Sequence, residues 1–410
     1  MTHKRYLTAD EAVAALGVSK ATLYSYVSRG LVRSEETGDK RRTRRYRAED
    51  VAALQQRKEQ RRNPAQAAAT ALHFGDPVLE SAITLIADGQ LYYRGQSALT
   101  LARQQHFETV TELLWGHAKA GAALVWEGWP LPSLDAQVMA MAAAQVAQGN
   151  PAAACQLALI AAATTDVAAY NQSPAAVMQT GVRILRLLTH VLTQAEHPGS
   201  IAQQLQQAWQ SATPAATAIF DSALILCADH ELNVSSFTAR CVASASATPY
   251  AAVVAALSAF QGSRHGGAGE RVAAFFQEAQ HDPQRAVLRR LRHGETVPGF
   301  GHLLYPAGDP RGKLLLELAR QHAPGAAIWP VVDGISEAMQ QAAQLAPNLD
   351  FGLVTLAQAL ALPAVAPFTL FAIGRTAGWI GHILEQYQSD RIIRPRARYH
   401  GVQPIDLQSS

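Results

Sequence analysis

The chain is short of cysteine and short of charge, and each shortage removes a class of protein. Three cysteines, Cys155, Cys227 and Cys241, stand in 410 residues without metal-ligand spacing or an even count. Disulfide staples and zinc fingers are therefore poor readings, and buried small hydrophobes are expected. Charged residues make up only 16% and the net charge is +3, against 49% hydrophobic residues, which does not suit a disordered chain. No uninterrupted apolar run reaches the ~18 residues of a membrane span. The opening MTHKRYLTADEAV also lacks the apolar centre of a secretory signal. The expectation is a cytoplasmic protein with no membrane partner, built from two or three domains at roughly 100–200 residues each.

What charge there is lies unevenly. Residues 1–63 hold 15 Lys+Arg against 8 Asp+Glu, a net of +7, and the remainder holds 20 against 24, a net of −4. A basic head on a mildly acidic body suits a polyanionic partner for the head, although a basic run is also an ordinary solvated face. In LTADEAVAALGVSKATLYSYVSRGLV, Thr8 and Glu11 form a capping box, Val13, Ala14 and Leu16 supply an apolar stripe, and Gly17 ends the helix. Ser19 caps a second helix that turns Leu23 and Val27 inward and Lys20, Tyr24, Ser25 and Ser28 outward. ETGDKRRTRRYR reads as a hairpin wing, and a third helix is expected from about residue 48 to 62.

Through T-A-D-E-A, L-G-V-S-K-A-T-L-Y and R-R-Y-R-A-E-D-V, this head resembles the MerR/excisionase-type winged helix-turn-helix domains. The resemblance implies binding of double-stranded DNA through residues 1–63. Lys20, Tyr24 and Ser25 would face base edges, and Arg41, Arg42, Arg44 and Arg45 would neutralise phosphates. A helical module for protein contacts is the alternative.

Residues 64–77 read as a linker opened by the helix-stopping Pro64. SAITLIADGQLYYRG alternates on both sides of an Asp-Gly turn, the mark of a small hairpin. From about Ser97 the patterns are helical, so the body is mostly α; its Ala/Gln-rich stretch from 117 to 215 suggests packing and a dimer interface.

Polar residues able to do chemistry gather between 229 and 400. Each has a plain explanation alone: a His beside Gly is commonly a turn residue, Asp350 could be a helix N-cap, and Arg311 could pair with Asp309 on the surface. Together, three His, an Asp and several Arg in Gly/Pro-rich junctions suggest a pocket for a small polyanion, with a base and two donors beside it.

The order DHELNVSSFTARCVAS, GSRHGGAGE, VPGFGHLLYPAGDPRGKLL, PNLDF, FAIGRTAGWIGHILEQ, RIIRPRARYHG resembles the citrate synthase family across residues 78–401. The resemblance implies a homodimer whose large domain (78–264 and 356–410) and small domain (265–355) close over the substrates. It implies an acyltransferase of the tricarboxylic acid cycle type that joins oxaloacetate to acetyl-CoA, or to propionyl-CoA, with no metal and no cofactor beyond the acyl-CoA substrate. Asp350 would be the base, His265 the donor to the thioester oxygen, and His302 the group that polarises the ketone. His230, Arg311 and Arg375 would hold carboxylates, Arg394 would reach in from a partner subunit, and Phe371 would line the pocket. Val297, Pro298, Gly299, Phe300 and Gly301 would cradle CoA.

Two departures stand out. The run Leu303-Leu304-Tyr305-Pro306 carries no charge where many relatives place cations for CoA phosphates, with Arg264 and Lys313 as conceivable substitutes. Gly269 replaces a common Asn. Charge-assisted bonds are worth about 1.5–3 kcal/mol each, so weaker acyl-CoA binding is expected. The alternatives are a transcriptional regulator whose body senses oxaloacetate, citrate or acyl-CoA with little turnover, and a lyase that runs the carbon–carbon step backwards.

Overall fold

The computed structural model describes residues 6–36, 44–48, 50, 51, 54, 79–116, 124, 126, 131, 132, 134–262, 265–397 and 399–401. The chain divides into two compact units, one of residues 1–80 with 395–410 and one of residues 81–394.

In the first unit, β1 (Tyr6–Leu7) leads into α1 (Ala9–Leu16), and α2 (Lys20–Ser28) follows after one short turn. Both halves of the Thr8/Glu11 capping box form, Gly17 closes α1 in the left-handed conformation at φ 57°, and Ser19 caps α2. β2 (Ser34–Glu36) and β3 (Arg44–Arg47) then pair antiparallel, with β1 on the other side of β3. Ala12, Leu16, Leu23, Val32, Tyr46 and Val51 form the core, which is why the two helices and the wing hold together as one module. Ala48, Asp50, Val51 and Leu54 are helical, in keeping with a third helix; the wing's turn and the linker lie outside the described residues.

The second unit opens with the hairpin β4 (Thr84–Ala87) and β5 (Gln90–Tyr93), extended by β6 (Gln96–Ser97). Asp88 and Gly89 take φ 52° and 71°, the pair of positive values that a two-residue turn of this hand needs. Helices follow: α3 (Ala98–Gln104), α4 (Phe107–Trp115), α5 (Ala136–Ala147), α6 (Pro151–Thr165), α7 (Pro174–Thr193) and α8 (Ile201–Ala208). Then come α9 (Ala216–Cys227), α10 (Val234–Ala243), α11 (Pro249–Phe260), α12 (Ala268–Ala279) and α13 (Pro283–Arg292). The last four are α14 (Pro310–His322), α15 (Trp329–Ala343), α16 (Leu349–Ala359) and α17 (Ala366–Ser389).

The 24-residue α17 is the spine, buried almost continuously from Thr369 to Leu384. Glycine lets α9 press against it: a Cβ on Gly374 would stand 2.5 Å from the Leu224 carbonyl, and one on Gly378 would stand 2.2 Å from that of Ala228. That contact brings the end of α9 beside Arg375. Cys155 and Cys227 are buried as expected, whereas Cys241 is half-buried. Among the described residues no helix is long and apolar enough to cross a membrane, and no cluster of His, Cys, Asp and Glu could hold a metal ion.

Candidate active site

The site is assembled from the junctions between helices and from the middle of α17. Beyond α9, Asp229 is sealed from solvent, with His382 Nε2 at 3.2 Å and the Thr84 hydroxyl donating to it at 2.6 Å. Burial works to raise its pKa, but His382, Arg375 and Thr84 outweigh burial and hold the carboxyl below its usual range. Next in the chain, His230 is buried. Burial, then Arg311, Arg375 and two neighbouring histidines, hold it well below an ordinary imidazole, so it is neutral.

His265 follows α11 in a tight turn: its N–H donates to the Gly262 carbonyl, and that of Gly266 to the Phe260 carbonyl, each at 2.8 Å. A side chain on Gly266 would run into the Phe260 ring at 2.2 Å, which fixes the residue type beside His265. His265 Nε2 lies 2.9 Å from the Ser235 hydroxyl, which also receives the Trp379 indole N–H at 3.0 Å. Burial and then Arg375 push His265 down to about 4.

His302 receives the Leu304 N–H on Nδ1 at 3.1 Å, so when neutral it carries its own proton on Nε2. Burial and Arg311 lower its pKa and keep it neutral. Asp309 and Arg311 form a bidentate pair, at 3.0 and 2.8 Å; it is fully buried, so the expectation of a surface pair is corrected. Asp309 also accepts the Leu349 N–H at 3.1 Å and so anchors the start of α16 to that of α14. Burial opposes the charge of Arg311, but Asp309 more than offsets it and raises the pKa.

The cap of α16 is Asn348, which accepts from the N–H groups of Asp350 and Phe351. Asp350 is therefore in the first turn, not at the cap. Its carboxylate is half-buried and has no hydrogen-bond partner among the described residues. Burial raises it to about 6, with Asp309 adding to the rise and Arg311 and Arg375 opposing it.

The loop Val297–Gly301 is tied to the same cap: Phe300 bridges Pro347, the Asn348 N–H donates to the Gly299 carbonyl at 2.8 Å, and the Gly301 N–H to that of Ala346 at 2.9 Å. Gly299 sits at φ 86°, and a Cβ there would meet Phe351 at 2.9 Å and Val272 at 3.0 Å. Gly299→Ala is accordingly expected to destabilise the unit by about 1–3 kcal/mol. Urea unfolding checks this, and an unchanged midpoint would refute the strain.

Arg375 is almost fully buried. Its Nε donates to the Cys227 carbonyl at 2.7 Å and its guanidinium lies 4.8 Å from the Phe371 ring centre. Neither of its Nη groups, nor Nη1 of Arg311, has an acceptor among the described residues, and none of these atoms is sealed from solvent. Two neighbouring buried cations with unused donors make a site for a small anion carrying more than one carboxylate.

The other expected residues fall as follows. Phe371 is half-buried and stacks on Phe260 at 4.8 Å. Val297 is buried beside the loop glycines, and Arg394 is exposed at the end of the second unit. In the first unit Tyr24 and Ser25 are exposed on α2, and Lys20 Nζ lies 2.7 Å from Asp10. Arg45 pairs with Glu35 at 3.3 Å and covers the Tyr6 ring at 4.4 Å, while Arg44 lies on β3. Arg41, Arg42 and Arg264 lie outside the described residues. Sequence reasoning missed Ser235, Trp379 and Tyr305; the last belongs to the run noted only for its lack of charge, yet its hydroxyl stands 3.0 Å from His230 Nε2.

Residues 6–59 match the model of a helix-turn-helix domain, and residues 73–396 match that of the citrate synthase C-terminal domain. A citrate synthase of Haloferax volcanii is 39% identical over 46% of this chain, and the match spans about half of that protein (51%). Citrate synthase 2 of Bacillus subtilis is matched over a similar share, 52% of its length. The 2-methylcitrate synthase 2 of Corynebacterium glutamicum is 30% identical over 76% of this chain and 88% of its own length. Among solved structures, the ternary complex of Thermoplasma acidophilum citrate synthase with carboxymethyl coenzyme A and oxaloacetate aligns with a TM-score of 0.68 at 22% identity, over 82% of this chain and 97% of that one, which is a likeness of fold. With a family model covering residues 73–396 and a helix-turn-helix ahead of it, the chain belongs to the citrate synthase family.

Proposed function

We propose that the protein condenses oxaloacetate with a short acyl-CoA, acetyl-CoA or propionyl-CoA, to a citrate-type product. The observation that carries this reading is a carboxyl without a protein partner, Asp350, set among cations with unused donors. Arg311, Arg375 and His230 hold the two carboxylates of oxaloacetate, with Arg394 of the partner subunit completing the pocket of a homodimer. Asp350 takes a proton from the carbon next to the thioester. His265, neutral, donates to the thioester oxygen where negative charge develops. His302 polarises the oxaloacetate ketone from Nε2 and gives that proton to the alkoxide as the carbon–carbon bond forms.

Water then attacks the thioester carbonyl; the carbon–sulfur bond breaks, hydroxyl stays on carbon and the thiol leaves with a proton. Residues 297–301 cradle the CoA, Phe371 bounds the acyl group, and closure of residues 265–355 over the rest of the second unit excludes water during the first step. Every step uses side chains and substrates, with no metal or further cofactor required.

The pH profile tests the assignment. With Asp350 at about 6 and His265 neutral down to about 4, turnover should fall about tenfold per pH unit below 6 with single-proton slope. Flat turnover from pH 7.5 to 5 would remove Asp350 as the base.

The helix-turn-helix favours a second activity, binding of double-stranded DNA by the basic first unit, which would make the protein a regulator as well. Tyr24 and Ser25 face outward from α2. Affinity for random-sequence DNA should fall steeply between 50 and 200 mM salt, by about 10³-fold if six phosphates are met. Deleting residues 1–63 should abolish it; unchanged binding after that deletion would sink the DNA reading.

A further inference from the structure

Three rings meet beside Arg311. His230 and His302 lie 5.0 Å apart between centres, His230 and Tyr305 5.5 Å, and His302 and Tyr305 5.0 Å. Tyr305 is turned inward by a tight turn in which its N–H donates to the His302 carbonyl at 3.0 Å, and it is buried. Its hydroxyl stands 3.0 Å from His230 Nε2, and the Arg311 guanidinium lies 5.3 Å from its ring centre.

We infer that Tyr305 is a positioning residue for the anionic substrate: its hydroxyl donates to His230 Nε2 and fixes the tautomer whose proton is on Nδ1, aimed at a carboxylate. A neutral imidazole has a single N–H. Nδ1 of His230 has no protein partner among the described residues and is not sealed from solvent, so it is the nitrogen left for a ligand. With the proton on Nε2, Nδ1 would present a lone pair to a dicarboxylate and repel it. With Tyr305 donating, it presents an N–H.

Tyr305 keeps its proton, because burial pushes the phenol up to about 12, and its hydroxyl has no other acceptor among the described residues. The ligand in this inference rests on the oxaloacetate reading; the tautomer does not.

The test joins a spectrum to a binding curve. In substrate-free wild-type protein labelled with ¹⁵N-histidine, the His230 signal, identified as the one lost in His230→Gln, should show a protonated Nδ1 and a bare Nε2. In Tyr305→Phe it should move towards a mixture, and the Kd and KM for oxaloacetate should rise about tenfold while kcat changes less than about threefold. A merely structural tyrosine would lower thermal stability and leave tautomer and Kd alone, which would overturn the inference. A wild-type His230 protonated on Nε2 would overturn it too, whether or not the variant folds. Wild-type protein with the Nδ1 proton that binds no oxaloacetate would uphold the tautomer and overturn the choice of substrate.

Discussion

Asp350→Asn is expected to lower turnover by about 10²–10⁴-fold while making the fold more stable at neutral pH. In an unfolded chain this carboxyl ionises near 3.8, and in the fold it keeps its proton up to about 6. A folded pKa raised in this way makes a contribution to stability that is full below pH 3.8 and lost as pH rises through 6. Above that, holding the group ionised costs up to about 3 kcal/mol, less whatever its partial contact with water returns. Asparagine keeps the shape and removes the charge. The variant should therefore unfold at higher urea than the wild type at pH 8 and at the same urea at pH 4. Oxaloacetate affinity should survive, because the arginines are untouched. Equal unfolding midpoints at pH 8 would show that the carboxylate is not held at a cost, and retained turnover would show that it is not the base.

Arg375→Met is the complementary change, with a large loss of oxaloacetate affinity expected. The side chain is 2% exposed, its Nε is committed to the Cys227 carbonyl, and its Nη groups have no acceptor among the described residues. Two charge-assisted bonds to a carboxylate, at about 1.5–3 kcal/mol each, amount to roughly 10²–10⁴-fold in affinity. Lysine should restore little, since a point charge cannot reproduce the planar fork. Methionine fills similar space, and removing one of two adjacent buried cations relieves their repulsion, so the unit should stay folded. Titration calorimetry with oxaloacetate decides the matter: an affinity within threefold of wild type would mean that Arg375 is not the anchor.

Local signals were legible in the sequence, and long-range partners were not. The Thr8/Glu11 box, the Gly17 stop and the Asp88-Gly89 turn depend on residues within a few positions of one another, and all three stand as read. Most of the site was legible as a set of positions, because Asp350 and Arg311 open helices and His265 and His302 lie in the junctions between helices, where Gly, Pro and Asn punctuate the chain; Arg375 instead stands in the middle of α17. Their partners were hidden. The bond from Trp379 to Ser235 joins residues 144 apart, and the pairing of Tyr305 with His230 spans 75. Nothing in an isolated Leu-Leu-Tyr-Pro indicates which of its side chains turns inward. Asp309 and Arg311 are adjacent enough to suggest a pair, yet only packing of α14 against α16 decides that the pair is buried. Asn348 and Asp350 both suit a cap, and the hydrogen bonds select Asn348.

The most direct measurement is release of CoA thiol from acetyl-CoA, and separately from propionyl-CoA, with and without oxaloacetate. The account predicts oxaloacetate-dependent release with at least one of them, lost in Asp350→Asn. No release from either at millimolar substrate would contradict it and leave the body as a binder of these ligands in service of the helix-turn-helix.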